Sequence, residues 1–235
     1  MIRMVSRLRK VSRAGSDAGI TLAELIIVML LMSLLGVVIV TLFTSTMKAT
    51  TMATSLSTNT KQATNAMNET ARLIRAGTAN PVKGNPQSDP AFVVAKPEEI
   101  IMYAYVNLSN TSQTPIMVRL YLDSERRLVE QRWPATQETD GYWKFPPATP
   151  ATASSTRILA NTVAAGVPPF RYLNSDGTTL NITTPTTGLT IEQRRVVAAV
   201  TVSLKVQQSL TNGSLPVELL NTVGIPNLGF HREVL

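Results

Sequence analysis

Few residues in this chain can carry covalent or metal chemistry. Its 235 residues include one His, His231, and no Cys. Disulfides, thiol nucleophiles, Cys-based zinc sites and cysteine-held iron–sulfur clusters are therefore excluded within the chain. A serine triad would have only His231 as its base. Asp123, Asp140, Asp176 and Glu218 are scattered, with no nucleophile–base spacing and no glycine loop to cradle a phosphate. The chain does not read as an enzyme and implies no cofactor. The pairs Arg126–Arg127 and Arg194–Arg195 read as solvated turn or strand-edge charges rather than a nucleic-acid footprint.

One carboxylate stands apart. Glu24 is the only charged residue between Ile20 and Met47. At the start of an apolar helix a negative charge is mildly favourable, so a simple boundary residue is one reading. The other begins from the bond between Gly19 and Ile20. Cleavage there would create an amine at Ile20, positively charged near neutral pH. It would lie close to lipid, where an unpaired charge is costly. Glu24 is four residues on, about one helical turn away.

The elements around this segment are sharply patterned. Residues 25–43 read LIIVMLLMSLLGVVIVTLF, without a charge and with only two hydroxyls. At about 1.5 Å per residue the run spans roughly 28 Å, close to a hydrocarbon core of about 30 Å. Residues 1–19 carry Arg3, Arg7, Arg9, Lys10 and Arg13 against Asp17, a net of +4 out of +7 for the whole chain. Most of the excess charge thus belongs to the leader. A basic segment before an apolar run keeps the N-terminus cytoplasmic and sends the rest outside. A secretory signal peptide is the competing reading, but no small-x-small cleavage site follows the run directly. The run is also longer than an ordinary signal core of about 7–15 residues.

Gly19-Ile20-Thr21-Leu22-Ala23-Glu24, with a basic leader before it and the apolar run after it, resembles the class III signal of type IV pilins and pseudopilins. Ile20 stands where Phe or Met is commoner, and Ala23 is smaller than usual. The resemblance implies cleavage after Gly19 by a prepilin peptidase on the cytoplasmic side, and N-methylation of Ile20. Thr21 and Leu22 belong to the same motif. Gly19 would be a recognition residue, because a residue without a side chain leaves the scissile bond uncrowded. The resemblance also implies that Glu24 of one subunit pairs with the new amine of its neighbour, which would set the register of a growing filament.

All 14 Pro lie at or after Pro81, and residues 20–76 hold a single Gly, Gly36. One helix is expected across 20–76, about 85 Å long. Its second part, 44–77, carries Ala49, Met52, Leu56, Thr60, Ala63, Met67, Thr70 and Ile74 at gaps of three or four, a weakly apolar face for core packing. Ten of the residues 41–70 are Thr, a poor helix former, so this part should need a packing partner. Gly77 is the expected stop, and Pro81 prevents resumption. Family members often carry a Pro near Thr41; it is absent here.

After a linker at 78–90, residues 91–235 read as a β-rich head. Expected strands are 92–95, 100–106, 116–122, 128–133, 157–163, 170–173 and 196–207. A hairpin turn falls at Asp123–Arg126. In the last strand Val200, Val202, Leu204 and Val206 should face in, and Thr201, Ser203 and Lys205 out. Residues 79–90 and 134–155 read as Pro-rich loops. In the second loop, Tyr142, Trp143 and Phe145 either cover their own sheet or dock on a neighbour.

Phe170-Arg171-Tyr172-Leu173-Asn174-Ser175-Asp176-Gly177, followed by the late strand, resembles the heads of W-type minor pilins and J-type pseudopilins. Asn174–Gly177 reads as a tight turn, and Asp176 alone is too little for calcium. The lack of Cys, unlike many major pilins, favours a minor subunit or pseudopilin. The resemblance implies an α+β lollipop: a long N-terminal helix on an antiparallel head. It implies a structural subunit of a type IV pilus or type II secretion-like filament, held in the cytoplasmic membrane with its head outside before assembly. Implied partners are the prepilin peptidase, sibling subunits, the assembly platform and lipid, with DNA as a partner in some relatives. The alternative is a monomeric, membrane-anchored extracellular binding module.

Overall fold

The computed structural model describes residues 19–106, 114–207 and 216–228. The basic leader ahead of Gly19 lies outside them, as does His231. The chain is α+β and divides into two compact units, one ending at Thr50 and one beginning at Thr51.

The first unit holds the start of helix α1, Leu22–Arg75, which runs without a break into the second unit. The absence of Pro and the single Gly let 54 residues stay helical. The Thr-rich stretch is helical throughout, and the buried residues of α1 begin at Ser55. Thr hydroxyls fold back onto the preceding turn: Thr41 donates to the Val37 carbonyl at 2.8 Å, Thr46 to Leu42 at 2.9 Å and Thr60 to Leu56 at 2.8 Å. These three hydroxyls are satisfied inside the helix that carries them.

In the second unit α1 buries Ser55, Asn59, Ala63, Ala66, Met67, Thr70, Ala71, Leu73 and Ile74. The expected stripe holds from Ala63 onward and fails before it: Ala49, Met52, Leu56 and Thr60 are exposed. Spacing alone could not tell the face bearing Met52 and Leu56 from the neighbouring face bearing Ser55 and Asn59.

The head has a five-stranded and a three-stranded antiparallel sheet sharing one core with α1. The larger has the order β1 (Phe92–Ala95), β2 (Glu99–Ala104), β3 (Ile116–Leu122), β4 (Leu128–Pro134), β7 (Ser155–Ala160). The smaller sheet has the order β10 (Val217–Gly224), β9 (Ala199–Val206), β8 (Phe170–Leu173). A two-stranded ribbon, β5 (Thr136–Gln137) with β6 (Trp143–Lys144), lies inside the expected loop. Phe92 and Tyr172 meet edge to face at 5.8 Å in the shared core, and the Tyr172 hydroxyl donates to the Lys96 carbonyl at 2.8 Å.

Two expectations are corrected, and a third is met in another way. The strand expected at 196–207 begins at Ala199, because Thr190 and Gln193 form a capping box that starts a short helix, α2 (Ile191–Arg195). Strand β10 was not expected. Gly77 does end α1, but with an ordinary φ. It is glycine because an added Cβ would meet the Met102 Cε at 2.7 Å and the Ile74 carbonyl oxygen at 3.0 Å.

Gly188 is more constrained. Its φ is +76°, and a Cβ there would lie 2.4 Å from the Ala95 carbonyl oxygen. That oxygen is held by the Leu189 N–H at 2.9 Å and cannot retreat cheaply. Gly188→Ala should destabilise the head by about 3 kcal/mol, combining left-handed strain with overpacking. Urea unfolding monitored by tryptophan fluorescence checks this; an unchanged midpoint would contradict it.

Candidate functional site

Thr21 is the N-cap of α1. Its backbone N–H and its hydroxyl both donate to Glu24 Oε2 at 3.0 Å, while the Glu24 N–H donates to the Thr21 hydroxyl at 3.3 Å. The Leu25 N–H closes the first turn on the Thr21 carbonyl at 3.1 Å. This is a capping box, with the carboxylate on the third helical residue. Glu24 therefore has a local task that the sequence reading did not assign to it. Both bonds to the carboxylate fall on Oε2. Oε1 accepts no bond from a described residue, and the side chain is exposed.

Gly19 and Ile20 precede the helix and are exposed, Ile20 at 76%. Nothing lies within 4 Å of a Cβ built on Gly19, and its φ is not in the left-handed region. Among the described residues nothing demands glycine there. Leu22 is likewise exposed, at 78%.

From Leu25 to Phe43 the helix is apolar on every side and buried on none. Its most apolar window has a mean hydropathy of 3.1. Among the described residues this is the one helix long and apolar enough to cross a membrane. A helix hydrophobic all round must be covered by lipid or by other protein.

The other singled-out residues have structural partners. Asp123 closes the β3–β4 turn: its Oδ1 accepts from the Arg127 N–H at 2.8 Å, and its Oδ2 from Arg127 Nε at 2.6 Å. Arg126 donates to the Val163 carbonyl at 2.8 Å and to Glu98 at 3.2 Å. Arg194 donates to the Phe92 carbonyl at 3.0 Å and to that of Val93, and Arg195 to the Ser88 carbonyl at 2.8 Å. Burial lowers the Arg194 pKa, with Arg195 adding to the effect. Arg126, Arg194 and Arg195 thus donate to carbonyls rather than standing solvated, while Arg127 is a turn charge, as expected. Asp140 pairs with Lys83 at 2.7 Å. Asn174 Oδ1 accepts from the Asp176 and Thr178 N–H groups at 3.2 and 2.8 Å, the expected tight turn. Glu218 is exposed on β10. No group of three or more acidic or His side chains among the described residues could hold a metal ion.

Of the loop aromatics, Phe145 stacks on Tyr103 with centroids 4.6 Å apart and helps cover Ile101, Met117 and Trp133. Trp133 donates from its indole to the Thr149 carbonyl at 3.2 Å and the Thr152 hydroxyl at 3.0 Å. The loop thus covers its own sheet through Phe145, while Tyr142 and Trp143 remain half-buried.

Sequence reasoning missed an ion cluster where α1 meets the larger sheet. Glu130 on β4 is 1% exposed and accepts from Arg157 Nε at 2.6 Å and from Arg132 Nε. Glu69 on α1 accepts from Arg72 at 2.6 Å, from Arg132 at 3.0 Å and from Arg157. The hydrogen bond from Arg72 lowers the Glu69 pKa, and the charges of Arg157 and Arg132 add to this. No spacing rule brings these residues together, because they come from three separate elements.

The chain matches no protein-family model and no curated protein.

Proposed function

We propose that this chain is a filament subunit, a minor pilin or pseudopilin of a type IV pilus or a type II secretion-like system. A prepilin peptidase removes the leader after Gly19 and methylates Ile20. The apolar half of α1 holds the subunit in the cytoplasmic membrane with its head outside. It then enters a filament through that same surface. The assembly platform and sibling subunits are the partners.

The observation that carries this reading is the placement of one carboxylate, Glu24, between an exposed Gly19–Ile20 bond and an apolar helix with no cover of its own. The free Oε1 supports it. Glu24 can close its own first turn through Oε2 and still receive an ammonium from a neighbour on the other oxygen.

Mass spectrometry of the exported protein tests the processing step. The expected N-terminus is N-methyl-Ile20, and a terminus at Met1 would defeat the proposal. Gly19→Ala should leave the fold and stability unchanged, since the site has open space. It should still block leader removal, so that the protein accumulates at full length on gels. Efficient processing of that variant would break the link between Gly19 and a peptidase.

The second reading, a monomeric anchored binding module, gains one observation. The capping box accounts for Glu24 without any neighbour.

A further inference from the structure

Where α1 meets the larger sheet, three guanidinium groups stand against two carboxylates. Glu69 accepts from Arg72, Arg132 and Arg157, and Glu130 accepts from Arg132 and Arg157. Arginine stays protonated in proteins, so the cluster keeps one positive charge when both carboxylates are ionised. It sits partly away from water: the Arg132 side chain is 14% exposed and that of Glu130 1%. Charge held away from water is costly unless it is matched.

Pairing does not exhaust these arginines. Arg72 reaches Glu69 through Nε and Nη2, and Arg157 reaches Glu130 and Glu69 through Nε and Nη2. Nη1 of each donates to no described residue. Both side chains line a groove of about 440 Å³, with Asn65, Asn68 and Glu69 of α1. Arg157 is 51% and Arg72 41% exposed there. Glu69 is the one carboxylate among the lining residues, and it is the one that three arginines already hold. Lys61, Asn65, Asn68 and Arg72 recur at gaps of three or four, so they form one stripe along α1. That stripe is cationic at both ends and carries amides between.

We propose that this groove binds a phosphate group. Guanidinium and side-chain amide N–H groups are donors suited to its oxygens, and its negative charge matches the positive charge that the two carboxylates leave over. Arg72 and Arg157 hold it through Nη1 without releasing Glu69 or Glu130, and Asn65 and Asn68 donate to it from α1. The groove is larger than one phosphate, so an ester carried on a larger molecule fits as well as the free ion. The site lies within the second compact unit and does not depend on the filament reading.

Titration calorimetry on the full chain in detergent micelles tests this. Inorganic phosphate and glycerol 3-phosphate are added in turn, with ionic strength held constant by chloride. The expected result is saturable binding of one phosphate group per chain. Tighter binding of the ester would mark a phosphate carried on a larger molecule, and tighter binding of the free ion an inorganic ligand. Asn65→Asp should weaken the affinity about tenfold, because its carboxylate then takes the place of the ligand beside the same arginines. Asn68→Asp repeats the test should the first variant fold poorly. Both positions are exposed on α1, so Tm in phosphate-free buffer should hold. Absence of saturable heat with both compounds would overturn the proposal. So would equal affinity in the unaltered chain and both aspartate variants, since binding would then lie outside the groove.

Discussion

Glu24→Gln should leave the first turn of α1 intact and remove the subunit from its polymer. The capping box accepts Gln in place of Glu, so the bonds with Thr21 survive the substitution. The charge does not survive it. If the amine of a neighbouring Ile20 is neutralised by Glu24 in an apolar surround, loss of one partner costs about 3–5 kcal/mol. That is a drop of roughly two to four orders of magnitude in incorporation at a given subunit concentration. The measurement is the share of processed protein in sheared filaments against membranes. Glu24→Ala removes both roles and should cost about 1 kcal/mol more in the first turn. Filaments from Glu24→Gln at normal yield would show that the carboxylate acts as a helix cap alone. That result would favour the anchored module over the filament subunit.

The second large effect is expected in the head. Glu130 is almost fully buried and clasped by Arg132 and Arg157, while Glu69 ties the same two arginines to α1. Glu130→Ala would take from Arg132, whose side chain is 14% exposed, one of its two carboxylates. Breaking a buried pair from one side costs about 3–5 kcal/mol, which for a unit of this size lowers Tm by on the order of 10 °C. Replacing Glu130 and Arg132 together by apolar residues of similar volume should cost far less, since pair and penalty vanish together. A similar Tm for the single and double variants would refute this account.

The same cluster has a pH signature. The folded state holds the Glu69 pKa below its ordinary value, chiefly through the hydrogen bond from Arg72. A lowered folded pKa means that the unfolded chain binds the proton more readily. The contribution of Glu69 is therefore complete above the ordinary glutamate value, about pH 4.3, and is lost as pH falls through the lower folded value. Glu69→Gln should flatten the acid limb of stability below that pH and leave its slope near neutrality unchanged. Thermal melts between pH 2 and 7 would show it.

Residue types and spacing were enough to read the isolated charge at Glu24, the apolar run, the one long helix and most strands. These features are local. A helix needs only the absence of breakers, and a half-buried strand shows its period within a few residues. Both capping boxes were legible as well, in Thr21-Leu-Ala-Glu24 and Thr190-Ile-Glu-Gln193. The second precedes the strand expected at 196–207, which therefore starts three residues late, at Ala199. Strand β10 was harder to see, because Asn221 falls at a position in line with Val217, Leu219 and Val223 and interrupts the apolar alternation.

Tertiary structure decided the rest. It chose Ser55 and Asn59 over Met52 and Leu56 for the covered side of α1. It turned apparently solvent-facing arginines into caps for bare carbonyls, and it gathered Glu69, Glu130, Arg132 and Arg157 from distant parts of the chain. The physical reason is common to all three. A local pattern states which surface is apolar or charged, but the partner that meets it is fixed by packing between segments far apart in sequence, and that packing leaves no periodic trace.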